Sequence, residues 1–244
     1  MKDDADGALI AVDGIVVRRT GASVLDGASL RLDAGDRLAV VGANGAGKTT
    51  LLRALIGLEP VVSGTIRLFG RACTCEADFR LARPRIGFLF QDSDDQLFCP
   101  TVLEDVAFGP MNQGLSASTA RQKALATLQR LDLAHLADRI TYRLSGGEKH
   151  LACLAGLIAM EPLALLLDEP TNGLDAANEA CLRKVLKSID AAMIMVSHDT
   201  GFLAETATRA VIVQQGRLVE GVMHRHPHAH DHIHIHPAGE VHHP

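Results

Sequence analysis

The sequence predicts an α/β domain with a mainly parallel core sheet, an antiparallel β subdomain at its N-terminus and a helical subdomain inserted within it. Residues 9–32 contain short apolar stretches broken by glycines, which is typical of antiparallel strands at a domain edge. Residues 101–160 are rich in alanine, leucine and glutamine and follow a helical period. The remaining apolar runs alternate with helical stretches, which favours a parallel sheet. They are residues 38–41, 163–168, 193–196 and 210–213; residues 66–69 and 86–90 are also predicted to be strands.

Composition and charge exclude several classes of protein. The 244-residue chain has a net charge of −5, with lysines and arginines scattered singly, so it presents no basic field to nucleic acid. One tyrosine and no tryptophan leave few rings on which bases can stack. No apolar run approaches the roughly 20 residues of a membrane-spanning helix, and the N-terminus lacks a secretory signal. We therefore expect a cytosolic chain that binds no nucleic acid and crosses no membrane itself.

A glycine-rich loop follows the apolar run 38–41 and precedes a helical stretch, residues 50–56. It matches the pattern G-x-x-x-x-G-K-[ST], in which backbone N–H groups close around phosphate oxygens. The helix N-terminus adds a favourable dipole, Lys48 can reach the β- and γ-phosphates, and the Thr49 hydroxyl can ligate Mg²⁺. The alternative is a glycine-rich turn before a core helix. The predicted nucleotide-binding residues of this loop are Gly42, Ala43, Asn44, Gly45, Ala46, Gly47, Lys48, Thr49 and Thr50.

Polar residues end three of the predicted strands. Asp168 suits a water-mediated contact with Mg²⁺, and Glu169 is placed to orient or deprotonate a water that attacks the γ-phosphate. Surface capping by two acids is the alternative at that strand end. Gln91 follows the run 86–90, and His198 follows the run 193–196.

A second anion site is predicted at residues 144–148, which read Leu-Ser-Gly-Gly-Glu. Ser145, Gly146 and Gly147 precede the apolar helical stretch 151–160. A serine and two glycines at a helix N-terminus offer backbone N–H groups to an anion.

Taken in this order, these segments resemble the ATP-binding subunit of ABC transporters, and the resemblance runs over residues 9–219. The motif 144–148 is the most specific part of the match. In the terms of that family, the segments are the Walker A loop (42–49), the Q-loop (Gln91), the signature motif (144–148), Walker B (Asp168 and Glu169), the D-loop (173–175) and the switch histidine (His198).

The resemblance implies an ATPase that uses ATP and Mg²⁺. Glu169, His198 and Gln91 would then serve catalysis. Thr49, Asp168 and Gln91 would lie around the Mg²⁺ ion.

The resemblance also implies a head-to-tail pair of ATP-binding subunits, expected here to be a homodimer. Ser145, Gly146 and Gly147 would contact the γ-phosphate of ATP held by the partner, and Asp175 would lie beside the nucleotide in the D-loop. A chain with two anion sites and only one nucleotide loop can fill both anion sites when two copies of the chain pair. The passage through the membrane would come from transmembrane transporter subunits. This chain would then sit peripherally on the cytoplasmic face of the inner membrane.

Residues 91–110 carry a narrower resemblance. QDSDDQLF, followed by PTV and then DVAFGP, is very like the cobalt and nickel subgroup of energy-coupling-factor transporters. That likeness implies import of nickel or cobalt. The alternatives are an ABC-type ATPase for another small substrate, and a non-transport ABC ATPase whose tail acts only as a metal buffer. An acidic surface loop is the plain structural interpretation of the segment.

The C-terminus is rich in histidine from residue 223 onward and is expected to be a flexible tail after an ATP-binding domain at 1–222. It holds nine of the 12 histidines of the chain. Neutral imidazole suits Ni²⁺, Co²⁺, Cu²⁺ and Zn²⁺, and the resemblance selects Ni²⁺ or Co²⁺. A low-complexity tail without function is the alternative. The candidate ligands are His224, His226, His228, His230, His232, His234 and His236.

Two departures from the family pattern bear on the site. The stretch 16–20, where the family usually places an aromatic ring against adenine, has none; either Arg18 or Arg19 stacks on the base, or adenine is held loosely. His150, just after the signature motif, is expected at the surface.

Overall fold

The computed structural model describes residues 7–93, 96–226 and 232–237. Two compact units are present: a first unit, Met1–Arg83 with Ala191–Pro244, and a second unit, Pro84–Asp190. The strands are β1 (Ala8–Arg19), β2 (Ala22–Asp33), β3 (Arg37–Val41), β4 (Ser63–Leu68), β5 (Arg71–Ala72), β6 (Ile86–Leu89), β7 (Ala164–Asp168), β8 (Ala192–Val196), β9 (Arg209–Gln214), β10 (Arg217–His226) and β11 (His232–Pro237). The helices are α1 (Lys48–Leu55), α2 (Glu76–Ala82), α3 (Val102–Asn112), α4 (Ala117–Arg130), α5 (Gly146–Ala159), α6 (Ala176–Lys187) and α7 (Thr200–Thr206).

The first unit contains an antiparallel sheet in the order β2-β1-β4-β5, as predicted for the N-terminal region. Buried and more exposed residues alternate along β1, where Ile10, Val12, Ile15 and Val17 face the core. Such alternation is expected for a sheet with one covered face.

The same unit contains the parallel strands that carry the glycine-rich loop. β3 lies between β8 and β9 and is parallel to both. All residues of β8 are buried, and so are Leu38, Ala39 and Val40 of β3, as expected for strands covered on both faces. The parallel direction brings the loop after β3 and the polar residues after β8 to one edge of the sheet. The predicted α/β fold class is confirmed.

The second unit combines a parallel pair of strands, β6 and β7, with helices. α3, α4 and α5 form the predicted helical subdomain, and α5 buries most of its length, from Gly147 to Ala159. Thr101 caps α3 by accepting a hydrogen bond from the Glu104 backbone N–H, and the Glu104 carboxylate bonds back to Thr101. This reciprocal capping box fixes where the helix begins.

The C-terminus corrects the expectation of a flexible tail from residue 223. β10 continues to His226, and β11 pairs with it in antiparallel register, with His224 opposite His234 and His226 opposite His232. Two physical causes explain the difference. β10 has a free edge beyond β9 that can accept another strand, and histidine and isoleucine alternate through 232–236 with the period of a strand. The candidate ligands His228 and His230 lie outside the described residues.

Candidate nucleotide site

The glycine-rich loop is shaped by close contact with two neighbouring strands. A Cβ atom at Gly42 would lie 2.8 Å from the Val213 carbonyl oxygen, and one at Gly47 would lie 2.9 Å from Val24 Cγ1. Gly47 also has a φ of 106°, a left-handed conformation that L side chains rarely adopt. Only glycine fits at these two positions, so the loop backbone is held in one path.

Helix α1 begins at Lys48, two residues earlier than predicted. The Leu51 backbone N–H donates to the Gly47 carbonyl at 2.8 Å, so Gly47 is the cap residue. N–H groups at a helix N-terminus lack partners within the helix and favour an anion. Thr49 and the buried Thr50 lie in this first turn, as the predicted phosphate site requires.

Lys48 is 7% exposed, and its ammonium is held by the loop itself. Its Nζ atom donates to the carbonyl oxygens of Gly42, at 2.8 Å, and Ala43, at 3.1 Å. A buried ammonium must be paired, and these two carbonyls pair it. Lys48 therefore lies inside the predicted phosphate loop.

His198 lies at the same sheet edge as the loop. It follows β8 by two residues and is exposed, next to the buried Ser197. Ser197 accepts a hydrogen bond from the Asp199 backbone N–H, and Asp199 caps α7 by accepting from the Phe202 N–H at 2.9 Å. Ligands of open α/β sheets bind outside the carboxyl ends of the strands, which is where His198 is presented.

The second unit brings the other strand-end residues together. β6 and β7 are in parallel register, with Leu89 beside Leu167, so Gln91 and Asp168 follow neighbouring strand ends. Gln91 is exposed, and Asp168 is 2% exposed. Glu169 has a φ of 51°, which places a non-glycine residue in the left-handed region. Strained backbone of this kind clusters at functional sites.

The signature motif forms the N-terminus of α5, as predicted. The Ser145 hydroxyl accepts from the Glu148 backbone N–H, and the Glu148 carboxylate accepts from the Ser145 N–H at 2.8 Å. That backbone hydrogen bond lowers the pKa of Glu148 below its ordinary value. Gly146 is open to its surroundings, whereas a Cβ at Gly147 would clash with Asn178 Nδ2. The motif therefore packs directly on α6.

Asp175 caps α6 beside the signature helix. Its carboxylate accepts from the Asn178 backbone N–H at 2.8 Å and from Asn178 Nδ2 at 3.2 Å. Asn178 thus joins the D-loop residue Asp175 to Gly147 of the signature motif.

His150 was predicted to be a surface residue, and that prediction is wrong. It is 3% exposed, on the buried face of α5, and its imidazole hydrogen bonds to the backbone of Pro170. Burial lowers its pKa, because an imidazolium would lose its hydration there. His150 directly precedes the apolar run 151–160, and this was the sequence signal for burial. Its burial itself results from the packing of α5 on the Glu169–Pro170 turn, a contact that the sequence does not reveal.

Of the two arginines that were predicted to stack on adenine, one already has another partner. Arg19 Nε lies 3.2 Å from a carboxylate oxygen of Glu59, so its guanidinium is already engaged. Arg18 is exposed and remains the candidate for stacking on the base.

Oxygen donors at the predicted Mg²⁺ positions fit that ion, which prefers carboxylate, hydroxyl and phosphate oxygens. Together with the phosphate loop and the two acids at the end of β7, they define the class of protein as a P-loop nucleotide triphosphatase. A family model for ABC transporters matches residues 25–172. The chain therefore belongs to the ABC transporter ATP-binding family, and it is an ATPase that uses ATP and Mg²⁺.

Relatives in sequence and structure agree with this membership. A putative ABC transporter ATP-binding protein of Brucella suis is 51% identical over 89% of this chain and 91% of the relative. The cobalt import ATP-binding protein CbiO of Rhodobacter capsulatus is 44% identical over 82% of this chain and 74% of the relative. The structure of cbiO1 from Clostridium perfringens, described as part of the ABC transporter complex cbiONQ, has a TM-score of 0.78 and 30% identity, covering 88% of each chain.

The described residues contain no helix that is both long and apolar enough to span a membrane. ABC ATPases act with membrane subunits and form dimers.

Lys48→Ala should weaken ATP binding, because it removes the ammonium inside the phosphate loop. Losing a charged hydrogen-bond donor costs about 1.5–3 kcal/mol, or roughly 10- to 100-fold in Kd. Calorimetric titration of the full chain with ATP measures the effect. Lys123→Ala is the matched control, since that ammonium pairs with Glu161 at 3.0 Å on the helical subdomain. A Kd for Lys48→Ala equal to that of the parent would contradict this assignment.

Gly147→Ala should lower the melting temperature more than Gly146→Ala. The added methyl at position 147 must displace Asn178 from Asp175, and overpacking of this kind costs about 1–3 kcal/mol. The methyl at position 146 meets nothing within 4 Å and replaces a glycine at a helix start. Thermal unfolding of both variants measures this difference in melting temperature. Equal melting temperatures would mean that Gly147 does not pack against Asn178.

Proposed function

We propose that this chain powers the import of a transition-metal cation, nickel or cobalt, by hydrolysing ATP on the cytoplasmic face of the inner membrane. The observation that carries the proposal is the histidine-rich C-terminus on a chain so similar to a protein named for cobalt import. The segment 91–110, with its likeness to the cobalt and nickel subgroup, supports the same assignment.

In the proposed mechanism Glu169 is the general base. Its position directly after β7 and its constrained backbone suit a carboxylate that must hold one orientation toward the attacking water. A bound Mg²⁺ would neutralise charge at the phosphates, and Thr49, Asp168 and Gln91 are the residues proposed to hold it. His198 donates a hydrogen bond to the γ-phosphate, and Lys48 leaves its two loop carbonyls for phosphate oxygens.

The second anion site is completed by another copy of the chain. Ser145, Gly146 and Gly147 at the start of α5 contact the γ-phosphate of ATP bound by the partner, in a head-to-tail homodimer. Asp175 lies at that interface. Since Asn178 bonds to Asp175 and packs on Gly147, closure at the signature motif moves the D-loop residue with it.

A pair of exposed rings supports docking of a membrane subunit. Phe98 and Phe108 are 63% and 40% exposed, and their ring centroids are 4.6 Å apart in an edge-to-face arrangement. Met111, one turn further along α3, is also exposed. Exposed apolar patches of this kind mark interaction sites. The patch follows Gln91 in sequence, so a membrane subunit seated on it would connect Gln91 with the transport path.

The C-terminal histidines collect Ni²⁺ or Co²⁺ beside the transporter. The register of β10 and β11 sets His224 opposite His234 and His226 opposite His232, so the backbone places four candidate ligands in two cross-strand pairs. His236, opposite Val222, and His228 and His230 complete the candidate set.

The second candidate function is an ABC-type ATPase for another small substrate, in which the histidines only buffer metal. The likeness to relatives of unassigned substrate favours it.

Glu169→Gln should bind ATP but turn it over about 10²- to 10⁴-fold more slowly, because the general base is lost. ATP should then trap a closed dimer, visible by light scattering. Glu220→Gln, a loss of an exposed carboxylate on β10, is the control and should hydrolyse ATP at the parental rate. Near-parental turnover by Glu169→Gln would remove Glu169 from the base role.

Replacing the seven candidate histidine ligands of the tail by asparagine should abolish most binding of Ni²⁺ and Co²⁺ in calorimetric titrations while leaving ATP hydrolysis intact. Binding by the parent should weaken as the pH falls through the histidine pKa of about 6.5, because protons compete for the same lone pairs. His135→Asn, an exposed histidine of the helical subdomain, is the control. Undiminished metal binding by the seven-fold variant would place the site elsewhere.

A further inference from the structure

His150 is a buried histidine that contacts the turn carrying the proposed general base. It lies in the second turn of α5 and hydrogen bonds to the backbone of Pro170. Proline has no N–H group, so the carbonyl oxygen accepts and the imidazole donates. Nε2 is buried without a partner, which leaves Nδ1 as the donor. The ring is therefore neutral, with its proton fixed on the nitrogen that faces Pro170.

The turn that His150 holds is unfavourable by itself. Glu169 adopts a φ of 51°, in the left-handed region, immediately before a proline. Such a conformation persists only where the surroundings fix it. The Asn172 N–H donates to the Glu169 carbonyl at 3.0 Å and closes the turn on one side. The imidazole of His150 donates a hydrogen bond to the carbonyl oxygen of the next residue, Pro170.

The start of the signature helix also contacts α6. Gly147, three residues before His150, packs on Asn178, and Asn178 bonds to Asp175. The start of α5 thus contacts the chain at Pro170 and at Asn178. A displacement of the helix start would act on both contacts.

We propose that His150 is a positioning residue for ATP hydrolysis, which holds the Glu169–Pro170 turn against the signature helix and so fixes the direction of the Glu169 carboxylate. The proposal rests on Glu169 being the general base, as proposed above. His150 acts through the backbone and touches neither nucleotide nor water. It also links the helix that contacts the partner's ATP to the base that acts on this chain's own ATP.

His150→Leu tests the proposal in the full chain. Leucine fills similar space, lacks the donor and removes the unpartnered nitrogen, so folding is retained. We expect kcat for ATP hydrolysis to fall roughly 10- to 100-fold, as for a misplaced catalytic group. KM for ATP should change less than about twofold, because the phosphate loop is unaltered.

His150→Asn is the rescue variant, since its amide nitrogen occupies nearly the position of Nδ1 and restores the hydrogen bond. It should recover most of the lost kcat. Ile158→Val, a trimming of another buried residue two turns along α5, is the control for mere loss of packing. It should leave kcat at the parental value whatever its effect on melting temperature.

A double variant distinguishes a loss of Glu169 positioning from general damage to the fold. In the Glu169→Gln background, His150→Leu should cause no further loss of residual turnover, because the group that it positions is already absent. Unchanged kcat in His150→Leu, failure of asparagine to rescue, or an equal loss in the Glu169→Gln background would each overturn the proposal.

Near-parental turnover by Glu169→Gln alone would reject the base assignment, and this proposal with it. An inactive Glu169→Gln with a normal His150→Leu would reject only the role of His150.

Discussion

The steric fit of the phosphate loop is the constraint on which the site depends. Gly42 and Gly47 are pressed against Val213 and Val24, so the loop backbone has one available path. That path sets the start of α1 and brings two carbonyl oxygens to the buried Lys48 ammonium. The Lys48 ammonium is therefore paired inside the loop, and in the proposed mechanism phosphate oxygens replace these two carbonyls. A side chain at either glycine would disturb all of these features together.

The remaining chemistry follows from the direction of the strands. In each unit parallel strands end at a common edge, which presents His198 beside the phosphate loop and Gln91 beside Asp168. Helix N-termini supply the anion sites, once after the loop and once at the signature motif. In the second unit, contacts of α5 with Asn178 and Pro170 connect the signature motif to the D-loop and to Glu169. In the proposed mechanism, these contacts join the motif that recognises ATP to residues that act on ATP.

Local patterns in the sequence predicted the fold class and most of the elements that carry the candidate site. The loop after β3, the capped start of α5 and the two acids at the end of β7 each carry their signal within a few residues. Three features depend on contacts distant in sequence and were missed or misplaced. His150 is buried because α5 packs on Pro170, Arg19 is engaged by Glu59, and β11 forms because β10 has a free edge. The start of α1 was misplaced by two residues because Gly47, and not a polar side chain, caps that helix.

The account rests centrally on ATP hydrolysis by this chain driving metal import. Uptake of radiolabelled nickel and cobalt by cells that contain the chain and its membrane subunits tests it most directly, with Glu169→Gln as the inactive comparison. The account predicts that one of the two ions accumulates with the parent chain and not with the variant. Accumulation of neither ion above cells lacking the chain, while its ATP hydrolysis is intact, would contradict the assignment to metal import.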